Sequence, residues 1–374
     1  MADNASTLRV PHITIIGLGL MGGSLALAVR QFYPGTRITG CDLSPAAGDE
    51  AVRLGMIDEF FPPDALDPGA SQIVFVATPV TAIGSVILGL ARLPSPPPIL
   101  TDMGSVKGTL LSEVRSGLPE GSCYIGGHPM CGSELEGLEG ADPHLYENAV
   151  YILTPDDRTP QDRLASLEQF LAGIGAQVVH LDPETHDAIV ARTSHLPYLA
   201  AVALVSTFIR AFDGQRVPHL LAAGGFRDTT RVASCPPAMW RDICLANRAP
   251  LLQALRELVT ELESFEDAIT SADGERLLQT FSRARTMRAT LPHYRKGLLP
   301  TGHELVVKAQ DRPGFLGQVA GVLGRADVSI RDLEVLRVRE GEGGSLRLAF
   351  SDEPNLQKAL DLLNEAGFVV RRRE

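Results

Sequence analysis

A strand, a glycine turn and a helix in immediate succession constrain this chain more than any other feature. His12-Ile13-Thr14-Ile15-Ile16 is a short β-branched run, and Gly17-Leu18-Gly19-Leu20-Met21-Gly22 follows at once. Leu25, Leu27, Ala28 and Val29 then recur as in a helix. Each glycine has its own physical role. Gly17 permits the tight turn, Gly19 lets backbone approach a pyrophosphate, and Gly22 lets the helix pack close to the strand. Free N–H groups at the helix start, around Leu18, Leu20 and Met21, suit a diphosphate. A second β run, Arg37 to Cys41, ends at Asp42, 20 residues after Gly22. A carboxylate there bonds the ribose hydroxyls of NAD and repels the 2′-phosphate of NADP. The bland alternative, a glycine turn without a ligand, does not account for the spaced acid.

Further β and α signals alternate, which predicts a doubly wound, Rossmann-like α/β sheet over residues 11–180. Ile73 to Ala77 is a continuous apolar run, followed by Thr78-Pro79 at the start of the next helix. Ile99 to Asp102, Cys123 to Ile125 and Val150 to Leu153 read as further strands. Ligands in such sheets bind beyond the carboxyl ends of the strands. Asp102, Ser105 and His128 follow strand ends and are therefore expected to converge on the cofactor crevice.

From 181 to 298 helical periodicity dominates. Glu184 to Phe212 is apolar nearly all round, so it is expected to be buried, between subunits or in an intrachain core. A dimer interface is the favoured reading. Leu299 to Gly302 reads as a linker. Residues 303–374 then read βαββαβ, a ferredoxin-like plan.

Composition excludes several classes. With 34 Lys plus Arg against 45 Asp plus Glu, the formal charge is −11, and no basic stripe is visible, so nucleic acid is not an expected partner. Arg371-Arg372-Arg373 reads as a solvated chain end. The longest apolar run, Leu196 to Ile209, is interrupted by Pro197, Tyr198 and Ser206, so no membrane span is expected. Met1 to Val10 lacks the pattern of a secretory leader. Five cysteines at irregular spacing predict small buried thiols, with neither a disulfide framework nor a metal site. A cytoplasmic protein is expected.

Four residues stand out for chemistry, each with a plainer reading. His128, in Gly-Gly-His-Pro-Met, is held extended by the proline after it and can accept a proton near neutral pH; a loop histidine is often only structural. Ser105 is a candidate helix start and N-cap. His195, inside the long apolar helix, reads alone as a satisfied core residue. Arg227, in Gly-Gly-Phe-Arg-Asp, suits carboxylate recognition by its planar fork, or simply pairs with Asp228.

Five motifs taken together resemble the prephenate dehydrogenase (TyrA) family: Gly17-x-Gly-x-x-Gly22, Thr101-Asp-Met-Gly-Ser-Val-Lys107, Gly127-His-Pro-Met130, Ser194-His-Leu-Pro197 and Gly224-Gly-Phe-Arg-Asp228. The resemblance covers about residues 11 to 298, and the C-terminal part with Asp311-Arg-Pro-Gly314 is similar to an ACT domain. It implies NAD-dependent oxidative decarboxylation of prephenate to 4-hydroxyphenylpyruvate, in tyrosine biosynthesis. His128 matches the histidine that accepts the hydroxyl proton, and Ser105 the serine that bonds the same hydroxyl. Arg227 matches the arginine that grips a substrate carboxylate, and Glu134 an acid paired with it at the mouth of the site. Ser194 and His195 match the motif near nicotinamide and substrate. Tyr198 stands where some members carry a second histidine linked to side-chain recognition, which leaves arogenate, or both substrates, as the alternative. Lys107 is expected either to support the strand-end turn or to face a carboxylate. An ACT domain implies an amino-acid effector, tyrosine foremost, held by free N–H groups at Gly314 and by Asp311 and Asp327. A non-catalytic NAD sensor and a β-hydroxyacid dehydrogenase are the competing classes; the presence of His128, Ser105 and Arg227 argues against the first, and the His-Pro-Met context against the second, which usually relies on a lysine.

Overall fold

The β-branched and apolar runs of the first half become the strands of one eight-stranded sheet. The computed structural model describes residues 10–132, 135–290, 303–309, 312–339 and 343–372. It divides into two compact units between Ala284 and Arg285.

In the larger unit the strands are β1 (His12–Ile16), β2 (Arg37–Cys41), β3 (Glu59–Phe61), β4 (Ile73–Val76), β5 (Ile99–Asp102), β6 (Tyr124–Pro129), β7 (Val150–Thr154) and β8 (Gln177–His180). Their order is β3-β2-β1-β4-β5-β6-β7-β8. Neighbours are parallel except β6 and β7, which run antiparallel with His128 opposite Ile152. Alternate residues face the two sides. Ile13, Ile15 and Phe75 pack with Leu25, Val29 and Phe170 from the helices Leu20–Phe32 and Gln161–Gly173. Val74, Val76 and Leu100 pack with Ile83, Ile87, Leu110 and Val114 from the helices Val80–Ala91 and Gly108–Gly117. Both faces are covered, as a largely parallel sheet requires.

Three local expectations are corrected here. Ser105 does not start a helix: the helix begins at Gly108 with Lys107 in the cap position, and Ser105 lies in the bend before it. His128 does not follow its strand but lies inside it, because pairing with β7 carries β6 on to Pro129. β3 and β8, short strands of mixed polarity, have no apolar run to announce them.

The expected long helix is divided in two. Pro183–Val190 and Leu196–Phe212 are α-helical, and Ala191–His195 between them forms a π turn. The Leu196 N–H donates to the Ala191 carbonyl, five residues back. Pro197 has no N–H for the next α bond, so the wide turn sits where the ladder is already broken. The stretch Pro183–Phe212 is, contrary to expectation, long and apolar enough to cross a membrane by length and composition alone. Little more than a quarter of its most apolar part is buried within the chain. Leu204, Ile209 and Phe212 remain exposed, as do Val217, Leu220 and Leu221 of the following helix Arg216–Leu221. Among the described residues of this unit, no intrachain core covers this face. Helices Gly224–Thr230, Pro237–Ala246, Arg248–Thr270 and Gly274–Thr290 complete the region.

The smaller unit has the βαββαβ order expected: β9 (Glu304–Ala309), β10 (Asp332–Arg339), β11 (Gly343–Ala349) and β12 (Val370–Arg372), in the antiparallel order β10-β11-β9-β12. Helices Phe315–Arg325 and Glu353–Glu365 bury Val319, Leu323, Leu356 and Leu363 against Leu305, Val307, Leu346 and Leu348. Arg347 is buried in the sheet with carboxylates of Asp332, Glu334 and Glu304 around it. Arg372 is more than a solvated chain end: its guanidinium grips both oxygens of Glu353 at 2.6 Å. Residues 299–302, Glu134 and Asp311 lie outside the described residues.

Candidate active site

The glycine turn has the geometry that a dinucleotide needs. Gly17 has φ +97°, and a Cβ there would lie 2.6 Å from the Ala77 carbonyl oxygen. A Cβ on Gly22 would stand 1.9 Å from the Gly17 oxygen, so helix and strand touch only because it has none. Gly19, by contrast, faces open space. It precedes a helix with no side-chain cap and no acid in its first turn, which leaves N–H groups around Leu20 and Met21 available to an anion. Leu18 is buried; its N–H donates to Asp42 Oδ2 at 2.7 Å. The Ser44 N–H donates to Asp42 Oδ1 at 2.8 Å. The acid expected to bond the ribose is thus tied to the glycine turn, and the Leu18 N–H, expected to be free for a diphosphate, is taken by it. The Thr78 hydroxyl, next to Ala77 and Pro79 beside the turn, is buried without a hydrogen-bond partner. An open cradle, an anchored acid and an orphaned hydroxyl fit a bound nucleotide.

At the far ends of β5 and β6 the chain builds a buried polar cluster. Asp102, the last residue of β5, accepts from Tyr124 OH at 2.7 Å, from the Gly127 N–H at 3.1 Å and from the Gly104 N–H at 2.8 Å. The Lys107 ammonium donates to Oδ2, the oxygen that also accepts the Gly104 N–H, while Tyr124 and Gly127 share Oδ1. Lys107 and Asp102 are almost fully buried, at 1% and 0% exposed. Lys107 therefore supports the strand-end turn and does not face a substrate carboxylate. Burial pulls its pKa down, opposed by the Asp102 carboxylate. The same burial, with the Asp102 charge, holds the Tyr124 phenol well above its usual range.

His128 sits on the next strand position beyond Gly127. Its Nδ1 lies 2.7 Å from His186 Nε2, and His186 Nδ1 lies 2.8 Å from Asp187 Oδ1. The Asp187 carboxylate also accepts the N–H groups of Lys107 and Gly108, each at 2.8 Å. A chain of contacts therefore runs from the catalytic candidate, through the helix Pro183–Val190, to the start of the helix after β5. His128 is 8% exposed, and burial first, then His186, Lys107 and His195, hold its pKa well below 6.5. His195, at the end of the π turn, is buried beside it; burial is the first cause that lowers its pKa, to about 4. Its Nδ1 lies 3.1 Å from Asn247 Nδ2, which donates to the Asp187 carbonyl at 2.9 Å. Trp240 meets the His195 ring edge-on and stacks on Tyr198 at 3.9 Å, nearly parallel. The plain core-residue reading of His195 therefore captures its burial but not its place among titratable groups.

The other expected residues are less engaged. Ser105 and Ser194 are half-buried. Arg227 is exposed on Gly224–Thr230, and no described bond ties it to Asp228. One turn further on, at the start of a 3-10 segment packed on Leu196–Phe212, Arg231 supplies a second guanidinium. Gly314 is left-handed at φ +83° just before the helix Phe315–Arg325, and Asp327 takes φ +56° just after it. Of the cysteines, Cys41 and Cys123 are buried, and Cys131, Cys235 and Cys244 half-buried. The sequence reading missed His186, Asp187, Asn247 and Trp240. The adjacent His-Asp pair at 186–187 is the one signal that it offered for the first two.

Comparison with known proteins agrees with this geometry. Residues 25–180 match the description "Prephenate dehydrogenase, nucleotide-binding domain", residues 182–283 "Prephenate dehydrogenase, dimerization domain", and residues 303–368 "ACT domain". Prephenate dehydrogenase of Bacillus subtilis is 35% identical over 350 residues, 93% of this chain and 94% of the relative. Cyclohexadienyl dehydrogenase of Zymomonas mobilis is 33% identical, over 75% of this chain and 96% of its own. A crystal structure of prephenate dehydrogenase from A. aeolicus, in complex with hydroxyphenyl propionate and NAD+, superposes with TM-score 0.70 at 32% identity, covering 76% of this chain and 99% of that one.

Proposed function

Because this chain belongs to the prephenate dehydrogenase family, we infer that it is an NAD-dependent dehydrogenase converting prephenate to 4-hydroxyphenylpyruvate by oxidative decarboxylation, a step of tyrosine biosynthesis. The observation that carries the catalytic assignment is the setting of His128. It is a buried imidazole, its pKa held down chiefly by that burial, whose Nδ1 faces His186 Nε2 at 2.7 Å, which leaves Nε2 for a substrate hydroxyl.

NAD+, when bound, accepts a hydride from the ring carbinol. Gly19, Leu20 and Met21 would hold its diphosphate, with Gly17 and Gly22 shaping the turn and Leu18 holding Asp42 in place; Asp42 would take its ribose, and Thr78 and Pro79 the edge of the crevice. The chain itself must take the hydroxyl proton and hold the ring in place while CO2 leaves. His128 takes the proton at Nε2, and Ser105 bonds the same oxygen. Arg227 grips a carboxylate, and Glu134 is the acid proposed to pair with it. Ser194, His195 and Tyr198 line the substrate side. Residues 11–180 thus serve the cofactor, 181–298 the substrate and pairing between copies, and 303–374 an effector.

His128→Asn tests the base. Turnover is expected to fall by about 1,000-fold, within the range for a general base, while NAD titrates as before. Unchanged turnover would remove the assignment.

Arogenate is the second substrate reading. The cyclohexadienyl dehydrogenase relative and Tyr198, stacked flat on Trp240 where a second histidine stands in some members, both favour it. NADH production from each compound decides between them. Tyrosine is the proposed effector of the ACT domain, with Gly314, Asp327 and Asp311 as its contacts. A homodimer is the proposed assembly, through the exposed apolar face of 196–221. The odd, irregular set of thiols supports a cytoplasmic enzyme.

A further inference from the structure

The proposal that follows rests on His128 being the base. We propose that Asp187 sets His128 and His195 in opposite tautomers, through His186 on one side and Asn247 on the other, so that one ring presents a lone pair and the other an N–H.

The first branch begins at the carboxylate. Its oxygens already accept the N–H groups of Lys107 and Gly108, so the ring nitrogen facing it, His186 Nδ1, is the donor. In a neutral ring His186 Nε2 then carries the lone pair. It lies 2.7 Å from His128 Nδ1, which must donate to it. His128 is left with its lone pair on Nε2, the nitrogen that no described residue occupies. Each contact holds one proton, and the order agrees from both ends: the carboxylate needs a donor, and the base needs a free lone pair.

The second branch begins at the Asp187 main-chain carbonyl, which can only accept. The Asn247 atom beside it is therefore the amide nitrogen. That nitrogen also faces His195 Nδ1 at 3.1 Å, so Nδ1 accepts and the His195 proton sits on Nε2. The cost of this orientation is visible, since Asn247 Oδ1 is buried with no partner.

The first branch also gives the abstracted proton somewhere to go. When an N–H bond forms at His128 Nε2, the Nδ1–H bond can break as its proton passes to His186 Nε2. The positive charge then sits on His186, in contact with the Asp187 carboxylate rather than on His128 near Lys107. His186 and Asp187 are thus positioning residues, since neither touches substrate.

Nitrogen-15 NMR of the full-length protein at neutral pH, with His128 and His195 assigned from single substitutions, reads the tautomers directly. The expected spectrum has His128 protonated at Nδ1 and His195 at Nε2. A His128 ring protonated at Nε2, or a His195 ring protonated at Nδ1, overturns the proposal. Kinetics gives an independent reading. His186→Leu removes the acceptor and is expected to lower kcat by about 100-fold with KM and NAD affinity within about twofold. His186→Gln places an amide oxygen near the lost nitrogen; it can accept the Nδ1–H hydrogen bond but not its proton, so the His128 tautomer is expected to be kept while kcat stays within about threefold of that of His186→Leu. Retention of kcat in His186→Leu, or its restoration in His186→Gln to within about twofold of the unaltered protein, overturns the relay. If instead His128→Asn retains turnover, the base assignment fails; if only the His186 results fail, the base stands and the relay falls.

Discussion

The nucleotide-binding sheet and the helical region after it bury their residues in opposite ways. Around the sheet, Ile13, Ile15, Phe75, Val76 and Leu100 are closed off by the chain's own helices, and even a lysine and an aspartate disappear from solvent together. In the helical region Leu204, Ile209 and Phe212 face outwards, although their segment is among the most apolar in the chain, and so do Leu220 and Leu221 of the next helix. The first region is finished by itself. The second has an apolar face that the described residues of its own unit leave open, and the histidine cluster forms where the two regions meet, with His128 from the sheet, His186 and His195 from the helices.

The most damaging way to break the sheet side is Lys107→Met. It leaves the Asp102 carboxylate buried with its neutral donors but without its cation. Removing one partner of a buried pair costs about 3–5 kcal/mol, and the two side chains are too deep for solvent to make up the difference. Urea unfolding should show a midpoint shift of that size. A loss under about 1 kcal/mol would mean that water reaches Asp102 and that this end of the sheet is open.

This contrast also marks what the sequence made legible. β1, β2, β4 and β5 can be read from β-branched runs because both faces of a central parallel strand are apolar. The Gly17 to Gly22 turn is legible because its glycines answer to steric contacts within a few residues of themselves, and to Ala77. The place of His128 inside β6 is not, because it depends on pairing with Tyr151 to Thr154 far along the chain. Ser105 failed as a helix start since the turn after β5 is closed by Asp102, Lys107 and Asp187, not by a hydroxyl cap. His186, Asp187 and Asn247 carry no periodic signal at all: their importance comes from three elements meeting, and a one-dimensional pattern records none of that. The π turn at Ala191–His195 was foreshadowed only by Pro197.

The helical side should respond differently. Leu220→Ser with Leu221→Ser alters residues that are 70% and 75% exposed in the single chain, so the fold of one copy should lose less than about 0.5 kcal/mol. If the face pairs with a second copy, each leucine contributes up to about 1.5–3 kcal/mol of burial there. Sedimentation should then show dissociation at concentrations where the unaltered protein stays assembled. An unchanged assembly would move the pairing surface elsewhere and leave this apolar face without its proposed partner.

The smallest expected effect is one of position on a pH axis, and it sharpens the comparison at the seam itself. Burial is the largest cause that holds His128 below the ordinary histidine range, followed by His186, Lys107 and His195. The base works only unprotonated, so kcat/KM, which reports the free enzyme, should stay level as pH falls through 6.5 and decline only below it. His195, lowered to about 4, stays neutral over the same range and keeps its N–H. Because His195 is neutral over this range and its influence on His128 ranks last, behind burial, His186 and Lys107, His195→Asn should leave the acid limb nearly where it is, whatever it does to the rate. A limb at about 6.5, the value of a solvated imidazole, would mean that the helical side swings away from the sheet in the free enzyme and exposes His128. The two regions would then form the site only when substrate draws them together.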